Sequence, residues 1–328
     1  MDRAINWGIL GTGNIAKQFA RGLGMLHDAR IAAVGSRAKT TAGAFGDEFK
    51  IPKRYASYEE LVADPEIDVV YVSTPHQLHR ANTVLCLDAG KAVLCEKPFA
   101  INAQEAAAMV DAARRNGVFL MEAMWTRFLP AIVKVREWLH AGEIGEPRMV
   151  TADFGFRAEV DPNGRLFNLE YGGGGLLDVG VYTISFASMV FGEAPVRTGG
   201  FAHIGRTGVD EHAAMVLGYK DGQVASLTCA VRVNTPHDAV IMGTKGSIRV
   251  HAPFWKTTGA VLKVDGKDDI SFTMPHRGNG YEYQAEEVIR CLRAGKQESS
   301  VMPLDESVSI IRTMDQIRSQ WNLKYPME

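Results

Sequence analysis

A chain of 328 residues, 46% hydrophobic and 23% charged, has the composition of a globular protein and the length for about two domains with a large buried core. Its formal net charge of −2 produces no field that would draw nucleic acid or an anionic membrane, and no apolar run is read as reaching the roughly 18 residues of a membrane span. The opening MDRAINWGIL is read as entering a strand directly, so no signal peptide is expected. The four cysteines (Cys86, Cys95, Cys229, Cys291) lack metal spacing and read as buried thiols, so the expected compartment is the cytoplasm.

The first part alternates strand and helix signals. Ile5, Trp7, Ile9 and Leu10 predict a short buried strand, and Ile15, Phe19 and Leu23 then recur at helical spacing. Between them, Gly11-Thr12-Gly13-Asn14-Ile15-Ala16 sits where a strand turns into a helix. Such a turn brings backbone close to a pyrophosphate and offers it the free N–H groups and positive dipole end of the helix. Ala16 is small enough to stand in for a third glycine. Residues 31–36 (IAAVGS) predict the next strand, 58–63 a short helix, and 67–74 (IDVVYVST) a strand buried on both faces. A helix over 79–90 closes on Gly90, and a strand covers 91–96. A further helix over 102–117 has Asn102 as N-cap, Glu105 three residues on and Gly117 at its end. A last strand covers 118–123. Repeated βα units of this kind build a parallel, doubly wound sheet.

After about residue 145 the pattern becomes one of alternating strands: MVTADFGF, HAAMVLGY, QVASLTCAV, AVIMGT and SIRVHA, with a hairpin turn at Tyr219-Lys220-Asp221-Gly222. Helices are predicted near 176–191, 281–294 and 304–320. The chain thus reads as α/β: a Rossmann dinucleotide-binding domain over 1–123, then an α+β domain over 124–328 for substrate binding and oligomerisation. The second domain would carry a large, mainly antiparallel, open-faced sheet, and a late helix would pack back on the first. Residues 212–218 and 224–228 put small and apolar side chains on both faces of that sheet, and the few helices cover only one. A two-fold dimer packed sheet on sheet, or a dimer of such dimers, is the expected closure.

About 20 residues past the glycines, the end of the second strand meets the adenosine ribose in a dinucleotide-binding unit. A carboxylate there favours NAD. Here the text is Gly35-Ser36-Arg37, with no acid until Asp47; Ser36 can donate a hydrogen bond and Arg37 can pair with a 2′-phosphate. The expected cofactor is NADP(H) rather than NAD(H).

Two more stretches carry a resemblance. Val72-Ser73-Thr74-Pro75-His76-Gln77-Leu78-His79 follows the strand at 67–74, and Val93-Leu94-Cys95-Glu96-Lys97-Pro98 ends the strand at 91–96. With the glycine turn they resemble the glucose–fructose oxidoreductase/inositol dehydrogenase (Gfo/Idh/MocA) family over essentially the whole chain. Met124-Trp125-Thr126-Arg127-Phe128 and Gly173-Gly174-Gly175-Leu176-Leu177-Asp178-Val179-Gly180-Val181-Tyr182 look most like its dimeric dihydrodiol dehydrogenase branch, which oxidises trans-dihydrodiols and some sugars with NADP. The resemblance makes Lys97 the catalytic or substrate-orienting lysine, acting as a base or as a fixed cation on the substrate oxygen. A lysine at the C-terminal edge of a parallel strand lies where such sheets bind ligands.

Asp178 and Tyr182 are four apart on a predicted helix and so share a face. Most of the family has His at the second position; the dihydrodiol branch has Tyr, and a phenol near a cation can pass a hydroxyl proton. Catalytic residues are therefore expected at Lys97, Tyr182 and Asp178. Cofactor contacts are expected at Gly11, Thr12, Gly13, Asn14, Ile15, Ser36, Arg37, Thr74, Pro75, His76, His79, Glu96, Lys97, Trp125 and Arg127, although His79 reads equally as a structural hydrogen-bonder. Trp125, Phe154 and Phe156 would wall a sugar face or ring. No metal is expected, since the histidines show no ligand spacing and hydride transfer needs none. The expected activity is hydride transfer between nicotinamide and a secondary alcohol or ketone of a sugar, polyol or cyclic trans-dihydrodiol. The alternatives are a sugar or keto-sugar reductase of the same family and a non-catalytic NADP-binding sensor.

Overall fold

The computed structural model describes residues 3–328, so the first two residues of the opening segment lie outside it. Six strands come first: β1 (Ile5–Leu10), β2 (Ala29–Gly35), β3 (Lys53–Tyr55), β4 (Val69–Val72), β5 (Ala92–Glu96) and β6 (Leu120–Ala123). They alternate with α1 (Asn14–Leu23), α2 (Lys39–Phe49), α3 (Tyr58–Ala63), α4 (His79–Asp88) and α5 (Ala103–Asn116). All pair in parallel in the order β3-β2-β1-β4-β5-β6. β4, β5 and β6 are buried at every residue, as strands covered on both faces must be. The chain leaves β1 toward both edges of the sheet, so the crevice beyond the carboxyl ends of β1 and β4 is where this architecture binds ligands.

The remaining elements are α6 (Pro130–His140), β7 (Pro147–Gly155), α7 (Val181–Phe191), β8 (Arg197–Ile204), β9 (Asp210–Gly218), β10 (Val224–Ala230), β11 (Ala239–Gly243), β12 (Gly246–Val250), β13 (Gly259–Val264), β14 (Ile270–Thr273), α8 (Glu282–Arg293) and α9 (Leu304–Ser319). The eight strands form one sheet in the order β14-β13-β12-β11-β7-β10-β9-β8. It is antiparallel except at its centre, where β7 and β10 run parallel.

Two compact units result. One comprises the residues up to Ala100, Gln104–Trp125 and Arg277–Val308; the other comprises Ile101–Ala103, Thr126–His276 and Ser309–Glu328. α8 therefore belongs with the parallel sheet, although the antiparallel strands precede it in sequence. It lies against α1, where Asn279 Nδ2 donates to Gln18 O at 2.8 Å and a Cβ on Gly22 would stand 3.0 Å from the Glu282 nitrogen.

Burial alternates along the second sheet. On β9, Ala213, Met215 and Leu217 are buried while His212, Ala214 and Val216 face out. In register with them, Phe201 on β8 is 89% exposed, and the same outer face carries Val216, Met149 and Val224. The inner face receives α7. The segment Leu169–Phe191 leading into α7 is helical, long and apolar enough to pass as a membrane span by composition, which corrects the expectation that no such run exists. Most of it lies in the core of this unit: Val181 through Ala187 are buried without interruption. All four cysteines are free and buried, and burial pushes the thiols of Cys86, Cys95, Cys229 and Cys291 up.

Candidate active site

In the first unit, Gly11 closes β1 at φ +104°, and its N–H donates to Gly35 O at 3.0 Å. A Cβ there would meet Ser73 Oγ at 3.0 Å, so only glycine lets the turn pass the end of β4. Gly13 precedes α1, the space its Cβ would fill is open, and the helix begins without a side-chain cap. Thr12 and Ile15 are half-buried and Asn14 is exposed around this cradle, and Ala16 is buried beneath it. Bare first-turn N–H groups beside an open space fit a pyrophosphate.

Ser36 follows β2 and is buried, its hydroxyl 2.6 Å from Thr41 Oγ1. Arg37 is exposed beside the phenol of Tyr58, whose pKa is raised chiefly by burial and opposed by that guanidinium.

The loop after β4 is braced from within. Thr74 is buried, and its hydroxyl accepts from Asn82 Nδ2 at 3.0 Å. His79 has no exposure; its Nδ1 lies 2.8 Å from Pro98 O and its Nε2 2.9 Å from Thr74 O. His79 thus ties the Thr74–Pro75 loop to the segment after β5, and the geometry is that of a brace. Burial, and the nearby Lys97 ammonium, push its pKa down. His76 opens a 3-10 turn (His76–Leu78) and is buried, its ring 5.7 Å from that of His79. Glu96 points inward, where its carboxylate accepts from the Tyr71 hydroxyl and, at 3.2 Å, from the Lys97 N–H. Lys97 is half-buried at the carboxyl end of β5. Trp125 is buried and stacks on Tyr281, with centroids 4.5 Å apart and planes at 18°. Sequence reading missed Tyr281, because only the return of α8 to this unit brings it there.

In the second unit the site is built on α7. Gly173-Gly174-Gly175 leads into a single π-helical turn, Leu176–Gly180, and then into α7. Asp178 lies in the π turn rather than in the α-helix that was predicted to hold it with Tyr182. Wider turns of this type concentrate at functional sites. Asp178 is 5% exposed and accepts from Arg165 Nη1 at 3.0 Å. The Arg165 side chain is 57% exposed, so the pair adds about 0–1 kcal/mol and serves orientation more than stability.

Tyr182 is 7% exposed, its ring 5.4 Å from Phe154. Phe154 stacks on Trp255 with centroids 3.3 Å apart and planes at 5°, and Phe156 lies 6.4 Å away on the same strand end. An aromatic pair of this geometry is worth about 0.5–1.5 kcal/mol beyond its buried area. Two anchors hold the wall. Thr126 Oγ1 donates to Trp255 O at 2.7 Å, and Asp153 accepts from the N–H groups of His237 at 2.6 Å and Asp238 at 3.0 Å, setting His237 beside Phe154. Arg127 is buried and donates to Ser185 Oγ at 3.1 Å and to Ser185 O at 2.8 Å, so it fastens α7. Trp255, His237 and Arg165 carry no motif of their own and were not legible as site residues.

Residues 5–124 match the family model described as an oxidoreductase family with an NAD-binding Rossmann fold, and residues 132–249 match the Gfo/Idh/MocA C-terminal domain. The chain belongs to the Gfo/Idh/MocA oxidoreductase family. It is 40% identical to the trans-1,2-dihydrobenzene-1,2-diol dehydrogenase of Mus musculus, with 99% of each chain covered. Its fold superposes on the aldose-aldose oxidoreductase of Caulobacter crescentus with a TM-score of 0.88, at 25% identity and 97% coverage of each chain. A 3-ketoreductase from Actinomadura kijaniata, solved with NADP, shares the fold at a TM-score of 0.85 and 24% identity, covering 97% of this chain and 98% of that one. The protein is a nicotinamide-nucleotide-dependent oxidoreductase.

Proposed function

We propose that this oxidoreductase transfers a hydride between the nicotinamide of NADP(H) and a carbinol carbon of a cyclic trans-dihydrodiol, a sugar or a polyol. The observation that carries the reading is the Tyr182 phenol beside the flat Phe154–Trp255 pair, with the Arg165-paired Asp178 in the turn before it. A flat apolar wall suits a ring, and a phenol and a carboxylate suit adjacent hydroxyls. The Gly11–Ile15 cradle and the Ser36–Arg37 corner would hold the dinucleotide, which when bound supplies the hydride acceptor. Lys97 is assigned to the reacting oxygen, as a fixed cation or a base, Tyr182 to proton transfer, and Asp178 to orienting a substrate hydroxyl. The test is a substrate panel read at the NADPH absorbance: trans-1,2-dihydrobenzene-1,2-diol, aldoses and inositols with NADP⁺, and keto-sugars with NADPH. Turnover of diols or sugars is expected. No turnover of any member would overturn the reading in favour of a nucleotide-binding sensor.

The absence of an acid at Ser36–Arg37 supports NADP(H) over NAD(H). Loss of one charge-assisted contact costs about 1.5–3 kcal/mol. Arg37→Ala is therefore expected to weaken NADPH binding roughly tenfold or more while leaving NADH little changed, measured by fluorescence titration with both. Equal losses would refute the preference.

The outer face of the second sheet supports self-association. Phe201 on β8, Val216 on β9 and Met149 on β7 are exposed there, and a second copy of the same face is their simplest cover. Light scattering at micromolar concentration is expected to give at least twice the 35.9 kDa of one chain. A monomer mass at every concentration would rule the dimer out. Buried, protonated thiols support residence in the reducing cytoplasm.

A further inference from the structure

We propose that Asp210 is the positioning residue of the Tyr182 helix: anchored on the Leu176 N–H, its carboxyl group sets the turn that carries Asp178 and leads into the helix bearing Tyr182. The inference rests on the reading of Tyr182 as a proton-transfer group. Asp210 begins β9 and has no exposure, and its Oδ2 accepts from Leu176 N at 2.6 Å. The glycines are shaped around it. Gly174 stands at φ +115°, and a Cβ there would fall 2.1 Å from Asp210 Oδ1; at Gly175 a Cβ would lie 3.4 Å from Oδ2. From another direction the Tyr325 hydroxyl donates to Gly173 O at 3.1 Å. The three-glycine segment is thus held at both ends, immediately before the π turn that carries Asp178.

Asp210 Oδ1 is buried without a hydrogen-bond partner. The titratable groups facing the carboxyl are the Cys229 thiol on β10 and the Tyr325 phenol, with Arg318, Asp315 and Glu328 around that phenol. Burial pushes the Asp210 carboxyl up to about 7, against the hydrogen bonds from Leu176 and Gly175. The group therefore changes charge across neutrality at the amino end of the helix bearing Tyr182. A negative charge there opposes a phenolate ~9 Å further along, counting 1.5 Å per residue. At an effective dielectric constant between that of bulk water and about 20, the coupling is worth roughly 0.3 to 1.4 pKa units.

Two readouts test this. The Tyr182 tyrosinate absorbance is isolated as the difference between each protein and its own Tyr182→Phe counterpart. It is expected to titrate roughly 0.3 to 1.4 units lower in Asp210→Asn, which keeps the acceptor for Leu176 but carries no charge; an unmoved titration overturns the proposal. In the second, kcat for diol oxidation is expected to fall about tenfold or more in Asp210→Ala with KM for NADP⁺ unchanged, and to return within about threefold of wild type in Asp210→Asn. An alanine variant as active as wild type overturns the proposal; if that variant does not fold, the absorbance titration of the asparagine variant decides alone. Full activity in Tyr182→Phe would instead remove the proton-transfer reading, and the absorbance titration would still judge Asp210 by itself.

Discussion

Lys97→Met is expected to leave the fold and nucleotide binding intact and to lower kcat by about 10²–10⁴-fold, the usual contribution of a positioned acid–base group. In barrier height this is about 3–5 kcal/mol. The substitution preserves an unbranched apolar stem of similar length and removes only the ammonium. The loop around it has ties of its own: His79 bridges the carbonyls of Thr74 and Pro98, and Glu96 accepts from the Tyr71 hydroxyl. Loss should appear in kcat and kcat/KM together, because the missing interaction is made as charge develops on the substrate oxygen. Initial rates in both directions, with NADPH affinity measured by fluorescence on the same preparation, are the check. A kcat within threefold of wild type would remove Lys97 from the reaction.

Tyr182→Phe is expected to lower kcat by about 10²-fold and to flatten the pH limb that the phenol supplies. The change deletes one oxygen from a ring that is 7% exposed and packs 5.4 Å from Phe154, so the aromatic wall and the melting temperature should change little. That makes the variant a clean test of chemistry against packing. Normal turnover with an unchanged pH profile would mean that the phenol only packs, and that Lys97 or a water carries the proton.

The first sheet was readable because its determinants are local. Strands buried on both faces need continuous apolar runs, as in 67–74, and the turn into α1 needs glycine where the backbone has φ +104° beside Ser73. The elements that escaped reading (α2, β3, α6, β8, β13 and β14) show the limit of that logic. α2 contains Gly43 and Gly46, which weaken any helical signal, yet a Cβ on Gly46 would lie 2.3 Å from Arg54 Nε; the packing of Arg54 requires the glycine. β8 carries Gly199 and Gly200, and at Gly200 a Cβ would come 2.3 Å from Ala214 O on the neighbouring strand. Gly46 and Gly200 oppose the local propensity of their own elements and are explained by a partner outside them, whereas Gly43 and Gly199 have open space where a Cβ would lie.

The site divides in the same way. Motif residues announce themselves in order: the glycine turn, Ser36–Arg37, Glu96-Lys97-Pro98, and Asp178 with Tyr182. Each works through backbone geometry or through a side chain at the end of its own element, so neighbouring sequence carries the signal. The aromatic wall does not, because Trp255 reaches Phe154 through a loop anchored by Thr126, and Tyr281 reaches Trp125 on the way into α8. Asp210 reaches Leu176 only because β9 and the glycine segment pack together, and Arg127 reaches Ser185 by the same kind of long-range contact. Periodicity and turn chemistry encode which element a residue occupies. Which elements lie side by side, and hence which side chains meet, is settled by burial of apolar faces that no local pattern specifies.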